Sequence, residues 1–199
     1  MDFVATARGF LLEPKVAFVR ARSVSISDSI LYFILLLLIN AILSVIVGLV
    51  IATAILSLVV QLIGQLGMGE VFLVETLGMV AAAIILVIVS FLFLFVAAGW
   101  LHIFVYLLGG RKGYGETLKV LAFGSTPFLL VGWIPLVGFF VGGVWTLVLS
   151  VLGIRELQQV STARALGAVI LAAVIPFILL VILAAYFFIS PVSVVGPLS

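Results

Sequence analysis

A chain of 199 residues that is 66% hydrophobic and 8% charged, with a mean hydropathy of +1.58, lacks the polar surface that a soluble domain of this length needs. Its net charge of +2, with no basic patch interleaved with aromatics, argues against nucleic acid as a partner. Cysteine is absent and there is one histidine, so no disulfide, thiolate metal site or multi-histidine site can form, and no cofactor or metal is expected.

The composition predicts an all-α, polytopic membrane protein. Residues 1–28 read as a cytoplasmic N-terminal segment. Within it, "GFLLEPKVAFVRARSVSISDSI" mixes Phe10, Leu11, Leu12, Val16, Phe18 and Val19 with basic residues. Pro14 suits a first helical turn, which predicts a short amphipathic helix over 15–22 lying on the inner leaflet. A solvated tail is the alternative. Ser27 or Asp28 is expected to cap the first span. The apolar block that follows outruns the roughly 7–15 residues of a signal-peptide core, so it is expected to stay as a permanent anchor.

Four intervals contain no Asp, Glu, Lys or Arg: 29–69, 76–110, 120–154 and 165–199. One crossing takes about 20 apolar residues, so each interval holds one span or two short ones. Basic residues decide between these, because Lys and Arg are retained on the cytoplasmic side. The nine cations occupy three places: Arg8, Lys15, Arg20 and Arg22; Arg111, Lys112 and Lys119; Arg155 and Arg164. The segment "LGMGEVFLVE" at 66–75 has glutamates and no cation, and the tail after Ser190 has no charge.

Parity then predicts five transmembrane helices, about 29–66, 71–108, 117–132, 136–154 and 165–189. The N-terminus is placed in the cytoplasm and the C-terminus outside, with 191–199 as an external tail. Pro127, Gly132, Pro135 and Gly138 permit a tight hairpin between spans three and four. Pro176 predicts a kink in the last span and Pro191 its end. Spans one and two are long: 36 residues of helix reach about 54 Å. They must tilt, bend, or project as a helical hairpin closed at Gly67-Met68-Gly69. Six or seven spans, with a re-entrant turn near Gly48 or Gly99, form the alternative.

Ionisable groups are almost missing from the span interiors. Glu75 lies near the outer end of span two, which argues against a buried carboxylate relay or an intramembrane aspartyl protease. His102 invites a reading as general base for Ser125 or Ser90 in a membrane hydrolase, against the plainer one of a histidine bonded to a neighbouring carbonyl or facing interfacial water. "FGSTP" lacks the Gly-x-Ser-x-Gly elbow, and no catalytic residue is assigned. Asn40 and Ser44, like Ser57, Gln61 and Gln65, share a helical face. They suit interhelical hydrogen bonding or, alternatively, a polar passage. Gly138, Gly142 and Gly153 suit close helix contact.

The stretch "GGRKGYG" is no phosphate loop, since it lacks Gly-x-x-x-x-Gly-Lys-Ser/Thr and follows no strand. It reads as a hinge in which Arg111 and Lys112 can meet anionic head groups and Tyr114 and Trp100 can anchor at the interface.

From Gly109 to Pro176 the chain resembles the Yip-domain (Ypt-interacting-protein) family, especially its prokaryotic branch. The residues that carry this are "GGRKGYGETLKVLAFGSTPFLLVGWIPLVG" and "GGVWTLVLSVLGIRELQQVSTARALGAVIL". The shared features are Gly-Tyr with a helix entering Ser-Thr-Pro, a Trp-Ile-Pro hairpin, and Gly-Ile-Arg-Glu before "STARAL". With spans one and two included by topology, the similarity covers about two thirds of the chain. The resemblance implies five spans and a cytoplasmic N-terminus. Eukaryotic relatives bind prenylated Rab-type GTPases and act in vesicle traffic and membrane shaping. This chain lacks their longer N-terminal region and its Asp-Leu-Tyr-Gly-Pro-like motif, with only "LLEPK" in its place, so GTPase binding is not carried over.

The expectation is a non-enzymatic, multi-pass protein of a prokaryotic cell membrane. It would organise membrane or recruit partners through cytoplasmic loops, with Arg111, Lys112, Tyr114, Lys119, Arg155 and Arg164 as contacts for anionic lipid head groups or other membrane proteins. Self-association is compatible with it. The alternative is a transporter or channel for a neutral or amphipathic solute, with Asn40, Ser44, His102 and Ser125 along its path. A membrane hydrolase is the remote one.

Overall fold

The structure, a computed structural model, describes residues 2–63 and 68–189. Among them every regular element is helical: α1 (Phe3–Leu12), α2 (Pro14–Ala21), α3 (Ile26–Ile63), α4 (Met68–Leu107), α5 (Tyr114–Gly124), α6 (Thr126–Val131), a π turn (Gly138–Gly142) running into α7 (Gly143–Leu157), and α8 (Thr162–Ile189). Four helical stretches are long and apolar enough to cross a membrane: Ile26–Val59, Thr76–Leu107, Phe140–Leu157 and Thr162–Tyr186.

The N-terminal segment holds two helices rather than the single expected one. Asp2 caps α1, its Oδ1 accepting from the Ala5 amide at 3.1 Å, and Pro14 opens α2. What sequence reading missed is where the phenylalanines of α1 go. Phe3 lies 5.3 Å from Tyr32, while Phe10 stacks on Phe123 at 4.7 Å and meets Phe18 edge-on at 4.9 Å. Phe10, Phe18, Tyr32 and Phe123 are essentially inaccessible. This aromatic cluster joins α1 and α2 to α3 and α5. The segment is therefore part of the core. The approach of α2 to α7 depends on Gly153, where a Cβ would sit 2.8 Å from the Phe18 ring.

The cap of α3 also differs from expectation. It is Ser25, not Ser27 or Asp28: the Ser25 hydroxyl accepts from the Asp28 amide at 3.0 Å and donates to Asp28 Oδ2 at 2.8 Å. α3 runs unbroken through Gly48, and α4 through Gly99, so neither is a re-entrant turn. Of the expected Gly67-Met68-Gly69 turn, Gly67 lies outside the described residues, and Met68 and Gly69 already belong to α4. Gln65, Pro191 and the tail 191–199 also lie outside them.

The segment expected as one helix over 117–132 starts at Tyr114 and breaks at Ser125. Pro127 has no N–H, so the Phe123 carbonyl four residues earlier loses its helical donor. The Thr126 hydroxyl donates to that carbonyl at 2.6 Å, and the Tyr32 hydroxyl in turn meets Thr126 Oγ1 at 3.0 Å. With the threonine proton committed, Tyr32 is the donor of the second bond.

At the far end of α6 all four terminal carbonyls are met. Phe128 accepts from the Gly132 amide at 2.7 Å and Val131 from the Ile134 amide at 3.0 Å. Leu129 accepts from Asn40 Nδ2 at 2.9 Å and Leu130 from Trp133 Nε1 at 2.7 Å. The hairpin that follows is so tight that a Cβ on Gly138 would fall 1.8 Å from the Val131 oxygen. The fourth expected segment, 136–154, is the π turn plus α7 and ends at Leu157.

α8 continues through Pro176. The proline removes the donor for the Ala172 carbonyl, and Trp100 Nε1 on α4 supplies one at 2.9 Å.

Candidate functional site: the loop-bearing end of the bundle

One end of the bundle gathers the α2–α3 link, the α4–α5 loop and the α7–α8 link, and with them most of the charge. Gln158, just past α7, organises it. Its side chain is buried although no feature of "ELQQVST" singled it out. Nε2 donates to the Gly113 carbonyl at 2.8 Å and to Thr117 Oγ1 at 3.0 Å, while Oε1 accepts from the Lys112 amide at 3.0 Å. Thr117 is fully buried, and its hydroxyl lies 2.8 Å from His102 Nδ1. Thr117 Oγ1 meets the Gln158 amide on one side and the His102 ring on the other. The α4–α5 loop is thus latched across to α7 by a chain of neutral hydrogen bonds.

Lys119 departs most from its expected role. Instead of facing a partner or lipid it is 2% exposed. Its ammonium donates to the carbonyls of Ala21, Arg22 and Val24 at 3.3, 3.4 and 3.1 Å and pairs with Glu116 Oε1 at 2.8 Å. It caps the end of α2 and ties the N-terminal helices to α5. Nearby, Glu156 bridges Arg22 at 2.9 Å and Arg155 at 2.7 Å.

Two more of the expected contacts turn their polar groups to the protein. Arg111 lies over the Tyr106 ring, 3.9 Å from its centroid, and donates to the Tyr106 and Gly110 carbonyls. The Tyr114 hydroxyl reaches along α4 to the Phe95 carbonyl at 2.9 Å. Lys112 and Arg164 are exposed, and neither side chain is ion-paired or hydrogen-bonded within the described residues.

The four intramembrane polar positions are not brought together. Asn40 serves α6 and His102 serves Thr117, while the Ser125 hydroxyl donates to the Ala122 carbonyl one turn back at 3.1 Å. Ser44 is exposed on α3. Ser125 and His102 therefore do not form a hydrogen-bonded pair. A cleft of about 730 Å³ between α4, α7 and α8 is walled by groups such as Phe93, Leu147, Val169 and Leu179, with Trp100 and Ser150, and by none of those four.

The Yip1 domain matches residues 8–186. The chain belongs to that family. No curated protein and no solved structure matches it. The Yip1 match begins within α1 and reaches α8, well beyond the two thirds that sequence resemblance had covered. The match thus takes in the second half of α1 and the whole of α2.

Proposed function

We propose that this Yip1-domain protein is a non-enzymatic, five-span protein of a prokaryotic cell membrane. It organises lipid or recruits a membrane partner through its loop-bearing end, which faces the cytoplasm. The observation that carries this reading is the division of labour among cations at that end. Gln158 holds the loop from Gly110 to Gly113, Lys119 and Arg155 are committed internally, and Lys112 and Arg164 are left exposed beside the latched loop. Such groups suit phosphates of anionic head groups or acidic partner segments, each worth about 1 kcal/mol at a membrane surface.

The fifth crossing is α5 with α6. They are individually short, but every carbonyl freed at Pro127 and at the end of α6 has a donor, as a bilayer interior requires. Asn40, His102 and Ser125 each serve a different backbone or side-chain partner, which supports packing roles over a polar passage. In the test, Lys112→Glu and Arg164→Glu are combined in the full chain, and crosslinked partners and co-purified lipids are compared from intact membranes. The expected result is loss of the anionic lipids or of a crosslinked partner. An unchanged profile would contradict the proposal.

A further inference from the structure

We infer that α1 and α2 form an in-plane wedge embedded in the phospholipid leaflet at the loop-bearing end, with acyl chains against their aliphatic groups and lipid phosphates on Arg8, Lys15 and Arg20. The first support is depth. Tyr32, which receives Phe3, lies six residues into α3, or about 9 Å along it, and Phe123, which receives Phe10, lies about 14 Å along α5. α1 also lies against α6, beyond the helix break. It therefore sits deeper than the charged loops, at the level where α3 turns Leu31 and Leu35 outward.

The second support is the outward face. Val4 and Leu12 of α1 are 71% and 67% exposed, and Val16 and Val19 of α2 are 44% and 47% exposed. Arg8 falls between the first two at four-residue spacing, and Lys15 and Arg20 flank the second two. All three cations are exposed, and none has a hydrogen-bonded or ion-paired side chain among the described residues.

Aliphatic side chains with long cations between them are what the boundary of head groups and acyl chains accommodates, the stems lying in hydrocarbon and the heads reaching phosphate. The acidic neighbours do not compete for these cations. Asp2 is occupied as the α1 cap, and Glu13 lies between the helices without a cationic partner. Among the described residues α1 and α2 lie only at this end, so they widen the bundle in one leaflet alone.

The inference rests on the topology above only in placing the loop-bearing end at a membrane surface. The test uses the full chain, which has no cysteine of its own. Nitroxide labels at Leu12→Cys, Val16→Cys and Lys112→Cys are read in vesicles of equimolar phosphatidylcholine and phosphatidylglycerol. The measured quantity is accessibility to oxygen relative to a water-soluble nickel chelate. The ratio should be several-fold higher at positions 12 and 16 than at 112, and Arg8→Glu with Arg20→Glu should lower it at 12. Nickel access at 12 and 16 matching that at 112 would overturn the inference by showing a solvated hairpin. Shielding from both reagents would overturn it in favour of cover by a second protein surface. A ratio unmoved by the two Glu substitutions would overturn the assignment of the cations to phosphate. Nickel exclusion at 112 would sink the topology and this inference together.

Discussion

Burying a lysine ammonium costs free energy unless its protons find acceptors. Lys119 has four within reach, three of them carbonyls at the end of α2 and its link to α3. Grouped with Arg111 and Lys112 in the sequence, this residue is expected among the cytoplasmic contacts. Nothing local to it shows that α2 folds back to offer its carbonyls to that position. Lys119→Met keeps the stem and deletes the charge, taking the ammonium donor from the Arg22 and Val24 carbonyls while Ala21 keeps the Val24 amide. It should lower unfolding stability by about 2 kcal/mol, measured in detergent by circular dichroism against temperature or denaturant. A wild-type midpoint would mean that the ammonium contributes nothing. Gln158 follows the same logic: a glutamine after a span is unremarkable in sequence, and its importance comes from reaching the Gly113 and Lys112 backbone across the bundle.

For the helical elements, the prolines show how local chemistry and packing combine. Pro176 in the sequence predicts a kink; in the structure α8 continues through the proline, and an indole on α4 donates to the freed Ala172 carbonyl. This pairing can be tested by a double-mutant cycle. Trp100→Phe alone should cost about 1 kcal/mol, the scale of hydrogen bonds between membrane helices. In a Pro176→Ala background the residue 176 amide is restored as donor for Ala172, and the same substitution should cost clearly less. Equal costs in both backgrounds would show that the indole and the proline act independently. The break at Ser125 follows the same pattern on a shorter scale, with Thr126 supplying the donor that Pro127 removed.

Across the whole molecule, the proposed five-span topology makes a prediction independent of any partner. Reporters fused to the two termini, one active only in the cytoplasm and one only outside it, should place the N-terminus inside and the C-terminus outside. Both ends in one compartment would remove the odd number of crossings. The point at issue is α5–α6: four other stretches are long and apolar enough to cross unaided, whereas this one depends on Asn40, Thr126 and Trp133 to meet its carbonyls.

Helical class, apolar runs and family were legible in the sequence because they rest on terms that add along the chain. Transfer free energy accumulates over about 20 consecutive residues, and a proline removes one helical donor wherever it stands. Folding of the N-terminal segment into the aromatic core, inward turning of Lys119 and latching by Gln158 were decided by tertiary structure. Each brings together groups far apart in sequence, such as Ala21 with Lys119 or Asn40 with Leu129. A hydrogen bond depends on where two groups meet in space, and no local pattern of residues encodes that meeting.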